Sequence, residues 1–278
     1  MIPFWFIFPS LVLATFVPAY LALYLIPRLG FVHIRYLAAA GVGLSFWYFF
    51  DTMGDANSLA ENNSVYPPYL FGGVPHFELI GAFVAGVVAL AVFDRLAVPG
   101  QGSTAPKRTW LILIPAAVAL VMGIHGLGEG WDAMSSVSSG PPTTLSGLPA
   151  LIQAFGDFPA LVSYPIHKFL EACIVAILYS AFVTSGGRKG KWWEIPSLGL
   201  LFAGPSAVGA AFGYFASFDT TYFFAFGVTA SLYAVVRLAE PLSPGFQPGG
   251  AGPAHLGWET FLALGAGLLL LYSAALLH

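Results

Sequence analysis

The chain has 278 residues, of which 58% are hydrophobic and only 8% charged, and its formal net charge is −3. A soluble domain carries about 25% charged residues, so a water-exposed globular protein is excluded, and without a basic cluster a nucleic-acid partner is excluded too. A single cysteine, Cys173, rules out a disulfide framework and any Cys-rich metal site.

A helix needs about 20 apolar residues to cross the hydrocarbon core. By that rule the sequence predicts eight transmembrane helices, at 2–26, 36–51, 77–98, 109–133, 159–184, 194–217, 220–239 and 254–277. The expected fold class is all-α, a polytopic bundle in the lipid bilayer forming one domain over 1–278. The first segment, MIPFWFIFPSLVLATFVPAYLALYL, has neither the basic lead nor the small-residue cleavage site of a secretory signal and reads as a span. The second is the shortest and closes at Asp51. Gly, Pro, Ser and Asn mark the connections as turns. Two connections are long, 51–76 and 132–157, and LSGLPALIQAF within the latter reads as a short interfacial helix. Cys173, in the fifth span, reads as a small core residue. Gly209 and Gly213 in the sixth form a small-xxx-small pair suited to close helix packing.

Basic residues set the orientation, because cytoplasmic loops collect Lys and Arg. Arg28, Arg35, Arg95, Lys107, Arg108, Arg188, Lys189, Lys191 and Arg237 all fall at odd-numbered connections. Those loops are therefore expected in the cytosol and both termini outside. Acids take the other face: Asp51, Asp55, Glu61, Glu78, Asp132, Asp157 and Asp219. They reflect either avoidance of basic residues outside or a vestibule that concentrates cations.

The tenth basic residue, Lys168, lies inside the fifth span, with His167 and Glu171 beside it. The fourth span carries His125 and Glu129 in HGLGEG, and the fifth repeats the spacing in HKFLEA. Ionisable residues at a helix centre cost about 2.5–3.5 kcal/mol on insertion scales and are functional candidates by default. Positions i and i+4 share a helix face, so each His projects with its Glu, and Asp132 continues the first face. The two spans run antiparallel, which brings the pairs to a similar depth. Two imidazoles and two carboxylates meeting between helices suit a divalent transition metal. The plainer reading is that each pair is a hydrogen bond within its own helix, and the duplication weighs against it. Pro165, two residues before His167, loosens backbone hydrogen bonding near the pair.

At these residues the chain resembles the ZIP (Zrt-, Irt-like) family of divalent metal transporters. That family has eight transmembrane helices with both termini outside, a His-Asn-x-Pro-Glu-Gly type motif in its fourth helix and a His-x-x-x-Glu motif in its fifth. HGLGEG and HKFLEA are similar to these. The segment AAAGVGLSFWYFFDTMGDA looks like the family's second helix, and AFGVTASLYAVVRLAEP looks like its seventh. The resemblance implies that His125, Glu129, His167 and Glu171 ligate the transported ion; the residues themselves add Asp132 and Lys168, and Asp51 and Asp55 on an outer entry path, as candidate accessories. It implies a cell-membrane carrier, not an enzyme, whose substrate is Zn2+ first, with Fe2+, Cd2+, Mn2+, Co2+ and Ni2+ as other candidates. A homodimer is allowed, not required.

The departures are specific. Gly126 stands where the family has a polar ligand, Gly128 where it has proline, and Lys168 where an acid can stand. A fixed cation opposes a second divalent ion, so one metal is expected, with Lys168 as a tethered substitute for the other. Two alternatives stay open. One is an intramembrane zinc hydrolase with Glu129 or Glu171 as general base. The other is a metal-binding membrane protein that does not transport.

Overall fold

The computed structural model of the chain describes residues 2–30, 32–62, 75–97, 112–139, 147–184 and 190–242, with the side chains of 57–62, 75–80, 95–97 and 184 outside the description. All regular structure among these residues is helical. The helices are α1 (Phe4–Leu25), α2 (Ile34–Asn62), α3 (Pro75–Ala97), α4 (Leu113–Ser139), α5 (Leu148–Phe155), α6 (Phe158–Tyr179), α7 (Glu194–Gly213) and α8 (Thr221–Ala239). Among the described residues, five segments are long and apolar enough to cross a membrane: Phe4–Arg28, Leu113–Ser139, Phe158–Val183, Glu194–Gly213 and Thr221–Leu242. In α3 the apolar stretch is the shorter Gly81–Asp94. The expected eighth span, 254–277, lies outside the described residues.

Two expectations about the long connections change. The helix begun by the second span does not close at Asp51 but runs on to Asn62. The fourth likewise continues through Asp132 to Ser139. The short helix inside the second long connection is α5, and glycines bracket it. Gly147 at φ 64° and Gly156 at φ 99° adopt backbone that side-chain-bearing residues avoid. Asp157 then caps α6, its carboxylate accepting from Ala160 N at 2.7 Å, with Pro159 in the first turn where its missing N–H costs nothing. Asp219 similarly accepts from Thr221 N at 3.0 Å at the start of α8. These two acids therefore have structural work of their own.

Helix α6 is the axis of the molecule, and it and the turn that follows are buried continuously from Leu170 to Val183. Helices α1, α2 and α4 lie against it, α4 pairs closely with α7, and α2 pairs with α8, which also carries α3. The α4–α7 seam is built on glycines. A Cβ on Gly123 would strike the Leu201 carbonyl, one on Gly130 the Ser206 carbonyl, and ones on Gly209 and Gly213 the backbone of Leu127 and Trp131. The sixth span's small-xxx-small pair is thus a backbone-to-backbone contact. The main core joins Leu23, Tyr48, Met122, Ile174, Leu198 and Leu238, and a second cluster joins Ile7, Leu11, Met134, Ala150 and Ala210 toward the opposite end. Outward faces stay apolar, with Leu13, Val17 and Leu21 on α1, Val84, Val88 and Val92 on α3, and Leu200, Val208 and Phe212 on α7 all exposed. So wide an apolar surface suits lipid, not water. The chain is a helical, multi-pass membrane protein.

Among the described residues, the basic side chains other than Lys168 gather at one end. Arg28 closes the turn after α1, Arg35 opens α2, Lys191 precedes α7 and Arg237 ends α8. Arg237 and Tyr233 both donate to the Asp94 carboxylate of α3, and Arg237 also donates to Glu240. Asp51, Asp55, Asp132 and the two capping acids lie toward the other end.

Candidate metal centre

On α4 the centre falls between Met122 and Met134, which belong to the two different core clusters. His125 and Glu129 share a helix face, and His125 Nε2 stands 3.4 Å from Glu129 Oε1. On α6 the same spacing sets His167 Nε2 2.8 Å from Glu171 Oε1. Lys168 joins the two helices. Its ammonium donates to Glu129 Oε2 across the interface, and to Glu171 Oε2 at 2.8 Å on its own helix. Each carboxylate therefore presents one oxygen to an imidazole and the other to the shared ammonium. The order is His125, Glu129, Lys168, Glu171, His167.

Burial is deep. His125 and Lys168 are 2% exposed and Glu171 1%, whereas the Glu129 side chain keeps 18%. The Lys168 ammonium also lies 5.6 Å over the Tyr164 ring, and the Tyr164 hydroxyl is 3.2 Å from Thr15 Oγ1 of α1. A Cβ on Gly126 would meet Ser206 Cβ at 3.5 Å and Glu129 Oε2 at 3.9 Å, ordinary contact distances. Gly128 admits Phe223 of α8, which a Cβ would meet at 2.7 Å. The glycine here serves close helix packing.

Donor atoms of His125, Glu129 and Glu171 lie within 4.8 Å of one another and form a buried group able to hold a metal ion. The fourth residue expected there, His167, stands on the far side of Glu171, with its Nε2 3.9 Å from Asp51 Oδ2 of α2. Asp51 thus reaches the edge of the centre, Asp55 is exposed one turn further along α2, and Asp132 is half-buried one turn beyond Glu129. The other histidine with described surroundings, His33, has an unrelated role, its Nδ1 accepting from Arg35 N at 3.3 Å.

Sequence reasoning missed the wall that faces His125. Tyr48 and Thr52 of α2 and Phe224 and Gly227 of α8 enclose that ring. A signal was present: Tyr48, Asp51, Thr52 and Asp55 recur at three- and four-residue steps, so one face of α2 carries them all.

With neutral imidazoles, Glu129, Glu171 and Lys168 leave one net negative charge, and Asp51 adds a second. One divalent cation balances that total, and two would exceed it. No protein-family model, no curated protein and no solved structure matches this chain.

Proposed function

We propose that this protein is a carrier that moves one divalent transition-metal ion, Zn2+ or Fe2+ foremost, across the cell membrane toward the cytosol. The observation that carries the reading is the buried group of His125, Glu129 and Glu171 between two apolar helices. Imidazole with carboxylate suits first-row divalent ions, and three protein donors leave a coordination position through which the ion can exchange. His167 and Asp51 form the access side of the site, and Asp55 lies further out on the same helix face. Acids at one end concentrate cations there, while basic residues at the other mark the cytosolic face. Lys168 takes the place of a second ion. The resemblance of HGLGEG and HKFLEA to the ZIP motifs points to the same chemistry.

The test is Zn2+ or Cd2+ influx into proteoliposomes, comparing the native chain with the Glu129→Ala/Glu171→Ala variant. Saturable uptake that disappears in the variant is the expected result. Uptake equal in both would place the transport site elsewhere. Bound metal without flux would favour an intramembrane hydrolase or a non-transporting binder, in which the open position serves water or stays filled.

A further inference from the structure

His125 has a second side. Its Nε2 faces Glu129, while the rest of the ring is packed edge-on between Tyr48 (centroids 5.5 Å apart, planes at 80°) and Phe224 (4.8 Å, 89°). Gly227 of α8 forms the floor. A Cβ there would lie 2.9 Å from His125 Cγ, 2.9 Å from Tyr48 Oη and 2.7 Å from Thr52 Cγ2. Helices α4 and α2 therefore bring an imidazole, a phenol and a threonine side chain together against Gly227 of α8. Tyr48 is 0%, Thr52 1% and His125 2% exposed. Among the described residues, His125 Nδ1, Tyr48 Oη and Thr52 Oγ1 are each buried without a hydrogen-bond partner.

Buried polar atoms are almost always paired, and three adjacent orphans are best explained by one another. A neutral imidazole has one N–H and one lone pair, and the hydrogen bond made by one nitrogen sets what the other can do. A metal-binding histidine needs its lone pair on the ligating nitrogen and a partner for the opposite N–H. A hydroxyl can accept that N–H.

We propose that Tyr48 and Thr52 are positioning residues for His125. Their hydroxyls hold Nδ1 through one shared water, and so aim the Nε2 lone pair at the ion. The inference rests on the metal-carrier reading and adds a role for α2, which supplies the orientation of a ligand borne by α4. Gly227 is the position on α8 that leaves space for the arrangement.

The experiment is a Cd2+ titration of the full-length purified protein, repeated with Co2+ for its ligand-field absorption. Tyr48→Phe/Thr52→Val keeps both shapes and removes both oxygens, and a fall in Cd2+ affinity of about 10–100-fold is expected, with a shifted Co2+ spectrum. Thr52→Ser, which keeps the hydroxyl and loses the methyl, is expected to stay nearer the native affinity than Thr52→Val; a purely packing role would reverse that order, since valine keeps the shape. Should the double variant fail to fold, Tyr48→Phe alone removes one oxygen and leaves the ring contact, with several-fold weaker binding expected. Native affinity and an unchanged Co2+ spectrum in these variants would overturn the proposal. A native chain that binds neither ion would instead overturn the metal reading itself, so the two failures are read apart.

Discussion

Lys168 puts an ammonium between two carboxylates that would otherwise repel each other in a medium of low dielectric. Removing one partner of a buried ion pair costs about 3–5 kcal/mol, because the charge left behind is uncompensated. Lys168→Met is therefore expected to lower the melting temperature of the metal-free protein and to respond more strongly to Cd2+ than the native chain, since the ion then supplies the missing positive charge. Thermal melts with and without Cd2+ check this, and equal metal-induced shifts in the two proteins would count against the role given to Lys168. Asp51 and Asp157 separate two kinds of outer acid. Asp51→Asn removes a charge beside His167 and is expected to weaken metal uptake. Asp157→Ala removes the cap of α6, at about 1 kcal/mol of stability, and is expected to leave metal affinity unchanged. Cys173, 5% exposed on α6, is expected to react with a maleimide only after denaturation.

Among the helices, the α4–α7 pair has the least freedom. At Gly123, Gly130, Gly209 and Gly213 the neighbour is main chain, which cannot rotate away as a side chain can. Overpacking of a tight contact costs about 1–3 kcal/mol, occasionally more. Gly209→Val is thus expected to destabilise the protein and, by displacing the helix that carries His125 and Glu129, to reduce Cd2+ affinity. Gly81→Ala on α3 meets nothing within 4 Å among the described residues; it should lie within about 0.5 kcal/mol of the native chain. Equal stability of the two variants would contradict the seam. Helix α2 extends beyond its apolar run because the turns after Asp51 remain helical, and a hydropathy rule sees only what lipid sees. That extension lets one helix carry both the wall against His125 and the acids beyond it.

At the scale of the whole molecule, Arg28, Arg35, Lys191 and Arg237 gather at one end, so labelling gives a direct test of orientation. In a Cys173→Ala background, Trp192→Cys (Trp192 is 87% exposed) and Ser139→Cys are expected to react from opposite sides of a sealed membrane. Labelling of both from one side would break the alternation of spans. The sequence by itself determined the helical membrane class, because apolar length and the scarcity of charge leave a chain no other way to satisfy its backbone in lipid. It also determined the pairs His125–Glu129 and His167–Glu171, since contacts four residues apart are a local property of a helix. Which oxygens Lys168 takes, that His125 rather than His167 gathers with both glutamates, and that Tyr48, Thr52 and Asp51 of α2 border the site were decided only by the tertiary structure. Apart from Lys168 with Glu171 on α6, those contacts join residues 39 positions apart or more on different helices, and the rotation of one helix against another comes from packing at glycines and core side chains, which no spacing along a single helix encodes.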